Sequence, residues 1–311
     1  MAHLGWVAFL VTWLAGGVGL AGPLLLAALG EIFAERAGVV NVGIEGTILL
    51  GALASFLVAY ATGDAWIGLL AAAVAGLLAS LPLVWMYVWA QANQVVVGIT
   101  FNLLAVGLSS YLYRALLGGG ALDATIPMLG DVPLPGLASL PLVGPLLFRH
   151  PAPFYLTALL ALLAGHVLFR TRLGLDLRAV GENPRAAAAA GIDVRRMRAL
   201  GVLVGGAASG LAGAYLMLCQ IGVFRDNIVS GHGFIALAIV ILGRWNPYAA
   251  AVAALAFGAA DALPISLQML DLGVAPQLLL AMPYVLAALA MSGLFGRVAQ
   301  PAALMARHDE A

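Results

Sequence analysis

Four stretches of this chain contain no Asp, Glu, Lys or Arg: Leu4 to Gly30, Ala65 to Tyr113, Ala199 to Phe224 and Leu272 to Gly296. About 20 apolar residues cross a bilayer as a helix, so the Ala65 to Tyr113 run is long enough for two passes. The runs are continuously apolar and do not alternate, which excludes a β-barrel. With 63% hydrophobic and 9% charged residues, the chain has more apolar surface than one water-soluble core hides. The expected class is all-α, a polytopic integral membrane protein.

Arginine sets the expected orientation. All 14 basic residues are Arg, and seven fall between Arg170 and Arg198. The positive-inside tendency places that loop in the cytoplasm, and Arg297 and Arg307 place the tail there too. Counting back gives spans near 152–170, 95–117, 66–90, 38–60 and 4–29, with the N-terminus outside. The first run lacks the positive flank of a signal peptide and is too long for its apolar core, so it reads as a span. Counting forward gives spans near 199–221, 247–268 and 275–294. Three spans from the inside leave the tail outside, so a further crossing is needed. "GHGFIALAIVILG" (231–243) offers it as a short or broken helix, for about nine crossings in all. On this reading 1–311 is one transmembrane domain, with an extracytoplasmic loop at 118–151, a cytoplasmic loop at 171–198 and a cytoplasmic tail at 296–311.

Several function classes fall away. The net charge is zero, which offers nothing to nucleic acid. The chain contains no Lys, so it has no Walker A loop, and any ATP it depends on is hydrolysed by another chain. The single Cys219 excludes an intrachain disulfide and reads as a small buried hydrophobe. No metal ligand set and no bound cofactor are expected.

Polar groups inside the apolar runs are the candidate functional residues. In "AERAGVVNVGIEGTILLGA" (34–52) Asn41 and Glu45 are four apart, the spacing of one helical face. A carboxylate facing lipid is costly; either this face lines a solute path, or Glu45 ties a broken helix together through Arg36 or backbone N–H groups. "QANQVVVGITFNLLAVG" (91–107) carries Asn93, Gln94 and Asn102. Asn102 lies about 12 Å beyond Gln94 by helical rise, and its amide either bonds across helices or meets a polar solute. Asp261 is a second carboxylate within a span, with no ionisable partner in its own segment. Gly206, Gly210 and Gly213 make small-residue faces for close helix packing.

"GENPRAAAAAGIDVRRMR" (181–198) is punctuated as a short helix. Asn183 is an N-cap, Pro184 fits the first helical position, Arg185 to Ala190 favour helix and Gly191 stops it. So short a helix is marginal alone, and a partner surface would hold it. The alternative is a surface loop whose arginines meet lipid phosphates.

Together "GEIFAERAGVVNVGIEGTILLGA" (30–52), "ANQVVVGITFNLLAVGL" (92–108), "LGLDLRAVGENPRAAAAAGIDVRRMR" (173–198) and "GFIALAIVILGRWNP" (233–247) resemble the permease subunits of ABC importers of the branched-chain amino acid and ribose type. The similarity is greatest to the shorter subunit of nucleoside-importing pairs. The resemblance implies a second, homologous permease, two cytoplasmic ATPase subunits that use the ATP, and an extracytoplasmic, often lipid-anchored, solute-binding protein. It implies that Gly181, Glu182, Asn183, Pro184, Arg185 and Gly191 form the element coupled to the ATPase. It also implies that Asn41, Glu45, Asn93, Gln94 and Asn102 flank the solute route. Nucleosides, ribose-like sugars and branched-chain amino acids all remain open to the residues alone. Two rival classes remain: an ion-coupled transporter using Glu45 and Asp261, and an intramembrane hydrolase using Ser209 with His232 or His166.

Overall fold

The computed structural model describes residues 2–118, 124–268, 281–292 and 300–305. Helix α1 (Ala2–Arg36) holds Pro23 inside and places Arg36 in its last turn, where a cation complements the helix dipole. Helix α2 (Ile44–Thr62) stops at Gly63, whose φ of +70° needs glycine or strain. Asp64 caps α3 (Ala65–Val84) by accepting from the Trp66 N–H at 2.7 Å, and α3 ends in a π turn, Trp85–Trp89. Asn93 caps α4 (Gln94–Leu117) through the N–H groups of Val95 and Val96.

Two short strands, β1 (Asp131–Pro133) and β2 (Arg149–Pro151), pair antiparallel around the single turn α5 (Val143–Leu147). Helix α6 (Ala152–Arg170) then leads into α7 (Arg172–Glu182) and α8 (Pro184–Ala189). Helix α9 (Val194–Tyr215) widens into a π segment, Leu216–Ile221. Helices α10 (His232–Leu242), α11 (Pro247–Gln268) and α12 (Met282–Met291) follow.

Seven of the described helices are long and apolar enough to cross a membrane, and α10 is a shorter apolar one. The chain is a multi-pass all-α membrane protein. The expected spans correspond to α1, α2, α3, α4, α6, α9 and α11, and the broken segment at 231–243 to α10. The expected span at 275–294 is described only in part, as α12. Its start and end lie outside the described residues. Ala303 and Met305 bond the carbonyls of Gly181 and Gly38, so this segment lies at the same end of the bundle as α7 and α8.

The centre of the bundle is α9 crossing α2 and α3. The apolar stretches of α9 and α2 are 67% buried, against 28% for α4. Glycine makes the crossing possible. A Cβ on Gly210 would overlap the Ala72 carbonyl oxygen, one on Gly213 the Ile48 carbonyl oxygen, and one on Gly51 would come within 2.5 Å of the Gly210 Cα. The small-residue face at Gly206, Gly210 and Gly213 is thus the seam of the fold. Because backbone rather than flexible side chain blocks the site, Gly210→Val is expected to cost more than the roughly 1–3 kcal/mol of ordinary overpacking. Size-exclusion profiles of the detergent-extracted protein should lose the monodisperse peak. Gly107→Val, at a position with nothing within 4 Å, should keep it.

Candidate functional site

Between α1 and α2 the backbone of residues 37–43 is not helical, yet it is buried, so its polar groups need partners. Side chains far away in sequence supply them. Glu31 Oε1 accepts from the Asn41 N–H at 2.7 Å, and Gln94 Oε1 accepts from the Val40 N–H at 2.8 Å. Asn102 clasps the start of α2 from both sides: its Oδ1 accepts from the Gly46 N–H at 2.8 Å, and its Nδ2 donates to the Val42 carbonyl at 2.9 Å. Gly98 lets α4 close on this segment, since a Cβ there would lie 2.7 Å from the Gly43 nitrogen. Of the two alternatives for the Asn102 amide, bonds to a neighbouring element are made, and Gln94 makes another.

Asn41 and Glu45 do not share a helical face. Asn41 sits in the non-helical segment, where its Oδ1 accepts from the Tyr87 hydroxyl at 3.4 Å. The four-residue spacing misled because α2 starts only at Ile44. Asn93 caps the same helix, α4, that carries Gln94 and Asn102.

Glu45, in the first turn of α2, accepts two backbone hydrogen bonds at the start of α10, from Gly231 N–H at 2.6 Å and Gly233 N–H at 2.7 Å. Of the alternatives for its partner, the backbone N–H groups are realised. Arg36 instead donates to the carbonyls of Trp245 and Arg244. Two helix N-termini thus meet at one buried carboxylate, and their unsatisfied N–H groups and dipoles are what a negative charge offsets. Gly233 is required here, since a Cβ would press on the Glu45 backbone at 2.8 Å. The far end of α10 returns to α1, where the Trp245 indole donates to Glu35.

Asp261 does have an ionisable neighbour: His232 Nε2, on α10, lies 3.8 Å from its carboxylate. The partner was missed because it stands on another helix. Ser209 Oγ is buried with no hydrogen-bond partner among the described residues, His232 and His166 included.

The punctuated loop folds as its residues indicate. Asn183 Oδ1 accepts from the Ala186 N–H at 2.9 Å, Pro184 opens α8, and Gly191 terminates it at a φ of +85°. Pro184 and Ala187 are buried, with Ala187 packed among Val180 and Val194, while Arg185, Ala186, Ala188, Ala189 and Ala190 are exposed. Helix α7 was not foreseen. Its signals were there: Thr171 caps it, and Leu173, Leu177 and Val180 recur at helical spacing on one face.

A joint connects α8 to the junction. Gly181, at the end of α7, lies so close to α1 that a Cβ would overlap the Arg36 carbonyl oxygen. Its own carbonyl accepts from Ala303 N–H at 2.9 Å, and the Gly38 carbonyl accepts from Met305 N–H at 3.3 Å. Backbone contacts alone thus tie the end of α7, next to α8, to Arg36 and Gly38. Gly181→Val is expected to prise α7 off this joint and reduce coupled uptake several-fold; because backbone blocks the site here as at Gly210, membrane content should fall as well, and uptake assays normalised to it separate the two effects.

The profile of the family described as "Branched-chain amino acid transport system / permease component" matches residues 13–269, most of the chain. The chain belongs to this permease family. The permease is 37% identical over 295 residues to the guanosine ABC transporter permease protein NupQ of Bacillus subtilis (strain 168), covering 91% of this chain and 92% of that one. It is 36% identical over 250 residues to the nucleoside ABC transporter permease protein NupC of Lactococcus lactis subsp. cremoris (strain MG1363), covering 78% of each. It is 37% identical over 261 residues to the putative glucose ABC transporter permease protein TsgC13 of Haloferax volcanii, covering 83% of this chain and 78% of that one. No solved structure matches significantly. The chain is a permease component and not an enzyme. Members of its family work with separate ATPase and solute-binding partners.

Proposed function

We propose that this permease is the shorter of two homologous permease subunits in an ATP-driven importer of nucleosides. The observation that carries the reading is the similarity to NupQ along nearly the full length of both chains. The second guanosine permease protein of the same organism, NupP, is 31% identical and only 64% of it is covered. This pattern supports a pair of unequal length with this chain as the counterpart of the shorter member.

In this reading the face bearing Gly181, Glu182, Asn183, Pro184, Arg185 and Gly191 is cytoplasmic and seats on an ATPase subunit. The exposed side of α8 offers small alanines to a cleft, with Arg185 beside them. Asn41, Glu45, Asn93, Gln94 and Asn102 build the hinge that flanks the route, holding the broken starts of α2 and α10 in register. The β1–β2 region is extracytoplasmic and faces a solute-binding lipoprotein. Closure of the ATPase dimer on ATP draws the two coupling helices together. Gly181 passes that movement to residues 36–41, and the α2–α10 junction changes which side the route opens to.

The test is uptake of labelled guanosine by cells carrying or lacking this gene. Saturable uptake that disappears with the gene and is competed by other nucleosides supports the proposal. Uptake competed by glucose or leucine but not by nucleosides overturns the solute class.

A further inference from the structure

The α2–α10 junction leaves one large feature unused. A cavity of about 570 Å³ lies at the opposite end of the bundle from α8, between α1, the π segment of α9, α11 and the β1–β2 hairpin. Among the described lining residues the charged ones are Asp131 and Arg149, both exposed, on β1 and β2. The rest of the lining is mostly apolar, with polar side chains at Thr12, Tyr215, Gln220, Ser266 and His150.

These groups are fixed in place. Gln220 Nε2 donates to the Gly19 carbonyl at 3.2 Å, leaving its amide oxygen as an acceptor. Ser266 Oγ donates to the Ala262 carbonyl at 3.1 Å and retains its lone pairs. His150 Nε2 bonds the Leu146 carbonyl at 2.8 Å while its other ring edge faces Gly19. Tyr215 is the exception. It is 1% exposed, yet its hydroxyl has no hydrogen-bond partner among the described residues. A buried phenol normally finds one. The π segment that follows Tyr215 turns Cys219 and Gln220 toward the same space, and such widened turns recur at functional sites.

Resting on the importer reading above, we propose that this cavity is a solute-binding pocket contained within the single subunit. It takes a neutral, ring-bearing polar solute of nucleoside size before the solute crosses the α2–α10 junction. A volume of this order is that of small-molecule sites, which are mostly apolar with a few placed polar groups. The Gln220 amide oxygen contributes an acceptor to the solute's polar edge, and glycines at 16 and 19 leave room for a flat ring.

The test uses the complete importer, with second permease and ATPase but without the solute-binding protein, and measures equilibrium binding of tritiated guanosine and of labelled glucose. Gly19→Leu should fill the pocket, since a Cβ there meets nothing nearer than the His150 ring at 3.8 Å. Gln220→Leu removes the amide and keeps about the same volume. Guanosine affinity should fall about ten-fold or more in Gly19→Leu and several-fold in Gln220→Leu, the loss of one buried hydrogen bond. If both variants bind guanosine as the parent does, or the parent binds neither probe, the pocket assignment is wrong while the importer reading stands on uptake. If glucose binds instead of guanosine and both variants weaken it, the pocket is upheld and the nucleoside reading falls.

Discussion

Arg185→Glu should leave the permease folded in the membrane and still reduce solute uptake by about ten-fold or more, the equivalent of about 1.4 kcal/mol at the coupling contact. Arg185 is exposed at the first turn of α8, so its replacement disturbs no core. The connected segment 170–198 carries seven of the 14 arginines, with Arg172, Arg195 and Arg196 exposed like Arg185. An acidic side chain there reverses the field that a partner cleft meets. Asn183→Ala tests the same element by a different route. It removes the acceptor of the Ala186 N–H, a cap worth about 1 kcal/mol, from a helix of six residues that has little stability of its own. Both variants should keep solute-independent ATP hydrolysis in the assembled complex while losing transport. Normal uptake in both would remove α8 from the coupling path.

The largest effect on stability is expected at Glu45. Its carboxylate answers two backbone donors at the start of α10, and each buried donor left without a partner costs about 1–3 kcal/mol. Glu45→Ala should therefore lower the thermal midpoint of the purified protein by several degrees or more and deplete it from the membrane. Glu45→Gln keeps one acceptor oxygen but turns an NH₂ group on the second N–H, so it should fall between the two. A thermal midpoint unchanged in Glu45→Gln, with transport lost, would assign the carboxylate to the solute rather than to the helix junction.

What was legible in the sequence was local. Asn183, Pro184 and Gly191 mark α8 within nine residues because a cap, a preset φ and a left-handed stop act on their neighbours. Likewise the long spans follow from unbroken apolar runs, and the short α10 from parity with the arginines. The start of α2 was not legible. Its position depends on Gln94 and Asn102, which reach back more than 50 residues to bond Val40, Val42 and Gly46. The four-residue spacing of Asn41 and Glu45 therefore pointed to a shared face that the broken backbone does not form. Pairings between helices, such as His232 with Asp261 and Glu45 with Gly231, carry no periodic signal. Nor does the contact of Ala303 with Gly181, since it joins backbone groups.

The measurement closest to the central claim is uptake into proteoliposomes holding this permease, its permease partner and the solute-binding protein, with and without the ATPase subunits. Guanosine should accumulate only when the ATPase and ATP are both present, and an Arg185→Glu permease should hydrolyse ATP without accumulating solute. Accumulation driven by a proton or sodium gradient with the ATPase left out would contradict the account and return Glu45 and Asp261 to the role of ion sites.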